Sequence, residues 1–137
     1  MTRIYSKWFP GILIVMVLVA CSKHAGDVEA PVATALLTHT SPTEGAAYKT
    51  GDSVWIKGLA IAPHEIHGYE LSIRSATDTS VVYYSEHIHD HNDTITINQK
   101  WKNTLATPAH LQAGVTLILD HDGNTATKTA AFITTGN

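Results

Sequence analysis

The chain has 137 residues, which is enough for one domain and too few for two. It is 44% hydrophobic and only 15% charged, so it can bury a core, and its composition argues against wholesale disorder. Nine basic residues stand against twelve acidic ones, giving a formal net charge of −3. Since Arg3 and Lys7 are the only charges before residue 23, the remainder is more acidic still, which argues against nucleic acid as a partner.

The first twenty residues have the features of a targeting signal. Arg3 and Lys7 precede an uncharged, almost wholly apolar run over residues 8–20. As a helix that run would rise roughly 20 Å, which is short of a bilayer's hydrocarbon core of roughly 30 Å. The sequence therefore predicts a secretory signal helix over residues 1–20 rather than a permanent membrane span.

A cysteine follows this signal directly. The stretch Leu18-Val19-Ala20-Cys21 resembles the lipobox of bacterial lipoproteins. The resemblance implies cleavage before Cys21, attachment of a diacylglycerol to its thiol, and acylation of the new amino terminus by a fatty acid such as palmitate. Several acyl chains together give a stable membrane anchor. Ser22 stands where aspartate would signal inner-membrane retention, so the resemblance favours the outer membrane of a Gram-negative bacterium. The alternative is a plain secretory signal in which Cys21 is incidental.

Residues 21–33 comprise the cysteine and a small, polar segment that predicts a flexible tether. From residue 34 to residue 137 apolar and polar residues alternate with a period of two, and turn residues separate the runs, which predicts β-strands. In the second run, Val54 and Ile56 fall on one face and Trp55 on the other. A long link is expected over residues 102–113. The predicted strands cover residues 33–39, 53–61, 66–74, 81–89, 94–101, 115–119 and 126–134.

Short strands at this spacing predict an all-β fold, an immunoglobulin-like β-sandwich of about seven antiparallel strands. The final hairpin, with Asp120-His121-Asp122-Gly123-Asn124, resembles the closing hairpin of bacterial Ig-like domains, where a strand ends in an Asp-x-x-Gly-Asn turn. Lipobox, tether and a single Ig-like domain together resemble small cell-envelope lipoproteins. The fold by itself names no function, because such domains serve many.

The nine histidines are the chemically informative residues. If successive strands run in opposite directions, His39 and His110 fall near one end of the sandwich, and His24 lies in the tether. Six others come from three separate stretches of sequence but fall at the opposite end. These six are His64, His67, His87, His89, His91 and His121.

The spacing within Glu86-His87-Ile88-His89-Asp90-His91 places its imidazoles on one face of an extended strand, with Cα atoms about 6.6 Å apart. Two neighbouring rings can then share one ion. We expect His67 and His121 to complete the site, with His91 and His64 as further ligands. Imidazole and carboxylate without thiolate suit zinc, copper(II) or nickel. The carboxylates expected to orient the rings are Glu86, Asp90, Asp93, Asp120 and Asp122.

Two functions remain open. In the first, a lipid-anchored envelope module binds zinc or copper(II) for sequestration, delivery or sensing. In the second, an Ig-like module binds or scaffolds a protein or glycan partner, and the histidines are an incidental surface feature. Neither is an enzyme: the sequence lacks His-Glu-x-x-His, a Gly-x-Ser-x-Gly elbow and a Gly-rich phosphate loop, and a small domain has little room for a substrate cleft.

Overall fold

A computed structural model describes residues 34–136. The predicted signal helix, the lipidation of Cys21 and the tether belong to residues 1–33, outside the described part of the chain, and they stay predictions. Within residues 34–136 there is no helix whose length and apolarity would let it span a membrane.

Alternating side chains build the described residues into strands. In the strand Ser53–Ile61 every second residue is buried and the intervening ones are exposed, as expected for a sheet with one face on a core. The strands are β1 (Leu36–Ser41), β2 (Ala46–Lys49), β3 (Ser53–Ile61), β4 (Gly68–Ser75), β5 (Val82–Ile88), β6 (Thr94–Lys102), β7 (Ala109–Ile118) and β8 (Thr125–Thr135).

The strands form two sheets that enclose one core. The three-stranded sheet has the order β1-β3-β6, and the five-stranded sheet has the order β2-β8-β7-β4-β5. Val54 and Ile56 of the smaller sheet are fully buried together with Leu71, Val115 and Phe132 of the larger one. The predicted all-β, immunoglobulin-like sandwich is therefore confirmed.

The buried core lies wholly between Leu37 and Phe132. The segment Pro31–Asn137 forms one compact unit. Because a domain with its own hydrophobic core can fold alone, this segment is the natural fragment for experiments in solution.

The structure differs from the predicted arrangement in three places. Strand β2 was not predicted, because four residues with no β-branched side chain give no clear local signal, and its pairing partner β8 is distant in sequence. That pairing is parallel, whereas only antiparallel pairs were expected. Strand β7 begins at Ala109, within the predicted link, and passes through Gly114, whose missing side chain leaves room for the Ser72 hydroxyl.

Candidate functional site

One end of the five-stranded sheet is formed where three strands start or stop. The first residue of β4, Gly68, pairs with the last residue of β7, Ile118, and Tyr69 pairs with the last residue of β5, Ile88. The His67 amide also donates to the Ile118 carbonyl at 2.8 Å. Residues that flank these strand ends are therefore brought together, as the sequence predicted for the histidines.

Five of the six predicted ligands line one open cavity of about 350 Å³ at this end, and we call it the histidine pocket. The pocket lies between the end of β5, the residue before β4 and the turn after β7. Its lining consists of His67, His87, His89, His91, Ile118, Asp120 and His121.

The five rings form two groups within the pocket. His67 contacts His121 with ring centroids 4.1 Å apart, and it contacts His91 at 5.5 Å. His87 and His89 contact each other at 4.5 Å, as expected for side chains two residues apart on one face of an extended chain. The structure therefore gathers imidazoles from three segments that are separate in sequence.

Two glutamates contact rings of the pocket. His91 Nδ1 lies 2.8 Å from a carboxylate oxygen of Glu65, and His87 Nδ1 lies 3.5 Å from one of Glu70. Because carboxylates only accept, the neutral His91 ring donates from Nδ1, which leaves the lone pair on its Nε2. This is the tautomer that a metal ligand needs when a carboxylate orients it.

One ring nitrogen of His67, Nδ1, is buried without a hydrogen-bond partner among the described residues. The following residue, Gly68, has a φ of +134°, and a side chain there would collide with the Ile88 carbonyl oxygen, 2.5 Å from the position of its Cβ. Glycine at this position therefore lets the end of β5 close onto the chain beside His67.

Asp120 holds the turn that carries His121. Its carboxylate accepts from the amides of Asp122 and Asn124, at 2.9 and 3.0 Å, and from the Asn124 side chain at 2.6 Å. The hydrogen bonds from the Asn124 side chain and amide lower the pKa of Asp120. A carboxylate that stays ionised therefore lies in the lining of the pocket.

The predicted orienting carboxylates are mostly engaged elsewhere. Glu86 accepts from the Tyr84 hydroxyl, Asp90 from the Asn92 side chain, and Asp120 from its own turn. Glu65 and Glu70 contact rings instead, and sequence reasoning did not assign them this role. The pairing of Glu70 with His87 across β4 and β5 is the signal that could have revealed it, but it requires the strand register.

The other three histidines of residues 34–136 lie apart from the pocket, and His24 belongs to the predicted tether, outside the described residues. His64 is exposed in a neighbouring depression that it shares with Glu65 and His91. His110, at the start of β7, lies at the opposite end of the sheet, as predicted. His39 does not: it pairs with Gly58 within the three-stranded sheet and is half-buried.

The pocket is not a preformed metal centre. Within residues 34–136 no group of three or more His, Cys, Asp or Glu side chains is arranged to hold a metal ion as the structure stands. Ion binding would require ring rotations, and His87, His89 and His121 are exposed side chains at a strand end and a turn. Side chains of this kind exchange rotamers on the picosecond to nanosecond timescale.

No protein-family model matches the sequence, and a search of curated proteins finds no significant match. Among solved structures, the fibronectin(III)-like modules of Clostridium thermocellum CbhA are similar over 73% of this chain and 96% of theirs, at 16% identity and a TM-score of 0.48. The CARDB domain of a Pyrococcus furiosus protein, solved in complex with di-metal ions, is similar over 75% of this chain and 94% of its own, at 7% identity and a TM-score of 0.43. The described part of the chain is an Ig-like module.

Proposed function

We propose that this protein is a lipid-anchored, non-enzymatic module of the bacterial cell envelope whose histidine pocket binds a transition metal ion, zinc or copper(II). The observation that carries the proposal is the lining of the pocket, where imidazoles from three separate segments surround one cavity. Such a module would serve to sequester, deliver or sense the ion.

The chemistry of the lining supports this choice of metal. Imidazole is a good ligand for zinc and copper(II), and hard cations such as calcium prefer sites made of oxygen. His91 already donates from Nδ1 to Glu65, so its Nε2 is available. His67 contributes a buried nitrogen with no partner among the described residues. After rotation of the His67 ring, an ion between the two groups of rings would have His91 Nε2 and His67 Nδ1 as ligands.

The proposal is tested by calorimetric titration of the fragment Pro31–Asn137 with zinc and then copper(II), at about pH 7.4 and about pH 5.5. We expect one ion per chain and a Kd below about 1 μM at the higher pH. Binding should weaken at the lower pH, because protons compete with the metal for imidazole nitrogens.

A pair of variants assigns the binding to the pocket. His87→Ala/His89→Ala removes one group of rings and should abolish stoichiometric binding. His110→Ala removes an exposed imidazole at the opposite end of the sheet and should leave the affinity within about twofold. If the parent fragment gives no heat, or only weak binding at several sites, the metal proposal is wrong. The histidines are then surface residues, and the chain is a binding or scaffold module for a protein or glycan.

The lipid anchor is tested separately in the full chain. Expression in a Gram-negative host with labelled palmitate should label the protein and direct it to the outer-membrane fraction. Cys21→Ser removes the acceptor thiol and should remove the label, and this matched pair isolates the lipobox from any other route to the membrane. Labelling that persists in Cys21→Ser, or a parent protein without label, would refute the anchor and leave the metal site untouched.

A further inference from the structure

Lysines are concentrated on the outer face of the three-stranded sheet. The described residues contain six basic side chains, and three of them, Lys57, Lys100 and Lys102, lie on strands β3 and β6. The register pairs Lys100 with Trp55 and Lys102 with Ser53, on the face turned away from the core. All three are exposed.

No carboxylate lies within the strands of that sheet. Strands β1, β3 and β6 contain no Asp or Glu, although residues 34–136 include ten of them. Asp52 and Asp93 are the nearest in sequence, and each immediately precedes a strand at its end. Asp52 also accepts a hydrogen bond from the Lys49 amide at 2.8 Å. An acidic domain thus carries one face whose strands bear only positive charge.

Large apolar side chains lie among these lysines. Trp55 is 39% exposed, Leu59 37% and Ile61 41%, and Leu36, which pairs with Ile61 from the neighbouring strand, is 61% exposed. Because alternate residues of a strand share a face, the stripe from Trp55 to Ile61 is about 20 Å long. Several large apolar side chains exposed on one face of a sheet favour an interaction site. We call these four residues, with the three lysines, the lysine face.

The charged and apolar parts of the face are interleaved. The amino groups of Lys57 and Lys100 lie 5.1 and 5.7 Å from the centre of the Trp55 ring, within cation–π distance. Their alkyl stems can cover apolar surface while the charged ends reach outward. The same face of the sheet therefore exposes an aromatic ring, aliphatic side chains and ammonium groups.

We propose that the lysine face rests on the anionic phospholipid surface of the membrane that holds the lipid anchor. The orientation of the face in the cell rests on the proposed anchor at Cys21. Tryptophan is favoured at the membrane interface, and aliphatic side chains gain free energy from burial at the boundary of the acyl chains. Each lysine near an anionic bilayer adds about 1 kcal/mol of attraction, which corresponds to about a fivefold gain in affinity.

The same composition disfavours a second copy as occupant. A symmetric dimer buries the same patch on both partners, so the lysines of one face would oppose those of the other. No carboxylate on β1, β3 or β6 could pair with them. A polysaccharide would use Trp55 and the lysines but would gain little from Leu36, Leu59 and Ile61, whose aliphatic surface favours acyl chains.

The position of β1 is compatible with this orientation. The described chain begins at residue 34, and Leu36, on the lysine face, opens β1. Residues 22–33 span at most roughly 40 Å when fully extended, so an anchor at Cys21 would hold the domain within about that distance of the bilayer. At that range the effective concentration of the face at the membrane is high.

The test couples the fragment Cys21–Asn137 through its single cysteine to a maleimide lipid, so that no cellular lipidation is required. Vesicles are made of phosphatidylcholine alone or with about a quarter phosphatidylglycerol, with brominated acyl chains as quenchers. The fragment contains two tryptophans, exposed Trp55 and buried Trp101. We expect quenching of Trp55 fluorescence on the anionic vesicles, less on the neutral ones, and loss of the difference at high salt.

Matched variants decide whether the face or the charge is responsible. Lys57→Gln/Lys100→Gln/Lys102→Gln should lower the partition of the uncoupled fragment onto anionic vesicles on the order of 100-fold, at about fivefold per lysine. The control replaces the other three basic side chains of residues 34–136 and removes the same charge. It is Lys49→Gln/Arg74→Gln/Lys128→Gln, and we expect less than a fivefold loss. Circular dichroism and the Tm of both variants establish that each is folded.

Other outcomes would overturn the proposal. Equal losses in the two triple variants would mean non-specific attraction, and equal quenching on neutral and anionic vesicles would remove the role of the lysines. Absence of quenching on either vesicle would reject membrane contact. Dimerisation that depends on concentration and is abolished by Trp55→Ala would assign the face to a second copy. Each of these results leaves the labelling of Cys21 and the titration with metal unaffected, so the proposals fail or stand separately.

Discussion

The histidine pocket and the lysine face use the two sheets of one small sandwich in opposite ways. In the pocket, polar rings and carboxylates meet where β4 begins and where β5 and β7 end, and most of them belong to flanking loops. On the lysine face the functional candidates lie inside regular strands and are spaced by the pleat. The end of a sheet, where several strands start or stop, thus brings together groups from distant sequence positions. The face of a sheet spreads such groups over a plane.

The difference affects what each region can bind. The ion proposed for the pocket needs a few directional ligands, which the histidines around this cavity of about 350 Å³ would supply after their rings rotate. A planar array of ammonium groups and apolar side chains suits an extended surface, where many weak contacts add. The following predictions test whether the two regions act independently.

The largest expected effect is a difference in unfolding free energy between tryptophan variants on the two sides of the three-stranded sheet. Trp101 on β6 is buried in the core, whereas Trp55 on β3 faces outward. Trp101→Ala should lower the free energy of unfolding by about 3–5 kcal/mol, because it removes a large side chain from the core. Trp55→Ala should change it by less than about 1 kcal/mol. Urea unfolding of both variants measures this, and equal losses would show that Trp55 is a structural residue.

A crossed comparison should give a loss on the order of 100-fold in affinity for anionic vesicles in one direction and the loss of stoichiometric zinc binding in the other. The triple lysine variant is expected to lose affinity for anionic vesicles while its affinity for zinc stays within about twofold. The variant His87→Ala/His89→Ala is expected to show the reverse. Titration and vesicle sedimentation on the same preparations measure both. Loss of both activities in either variant would contradict the independence of the two regions.

A smaller effect is expected from the carboxylates of the pocket. Glu65→Gln keeps the size of the side chain but weakens the hydrogen bond that orients His91, 2.8 Å away. Loss of such an orienting partner typically lowers metal affinity by about 10–100-fold. Glu70→Gln should have a weaker effect, because its oxygen lies 3.5 Å from His87 Nδ1. Zinc titrations of the two variants give the order, and a reversed order would refute this role for Glu65.

The smallest effect concerns His39, which is outside both regions. Its Nε2–H donates to the Ser41 carbonyl at 2.6 Å, and its buried Nδ1 has no partner among the described residues. Burial lowers the pKa of His39. The Ser41 hydrogen bond raises this pKa, and the charge of Lys128 lowers it further. Below the reference histidine pKa of about 6.5, the unfolded chain therefore binds more protons than the folded one.

The contribution of His39 to stability is consequently complete above about pH 6.5 and decreases as the pH falls through that value towards the lower pKa of the folded state. His39→Gln should reduce this decrease, measured as the difference in unfolding free energy between about pH 7.5 and about pH 5. The control, His110→Gln, changes an exposed histidine on β7. An unaltered pH dependence in His39→Gln would exclude this account.

Local sequence predicted the long strands and the histidine end but missed features that depend on distant pairing. The alternation in β3 correctly separated Val54 and Ile56 from Trp55. Strand β2 is short and owes its place to β8, nearly ninety positions away. The early start of β7 was missed because Pro108 and Gly114 favour a loop by local preference, while pairing with β8 overrides that preference.

Sequence alone determined the sandwich class and the convergence of five histidines. Strand alternation and antiparallel order already decide which strand ends lie at the same end of the sandwich. It also provided the resemblance to a lipobox at Cys21, which stays a prediction. Only the tertiary structure decided that Glu65 and Glu70 contact the rings. It also decided that the amino groups of Lys57 and Lys100 lie over the Trp55 ring, on a sheet whose strands carry no carboxylate. The physical reason is that register and sheet order, which set the neighbours of each side chain, arise from contacts between strands rather than from preferences within them.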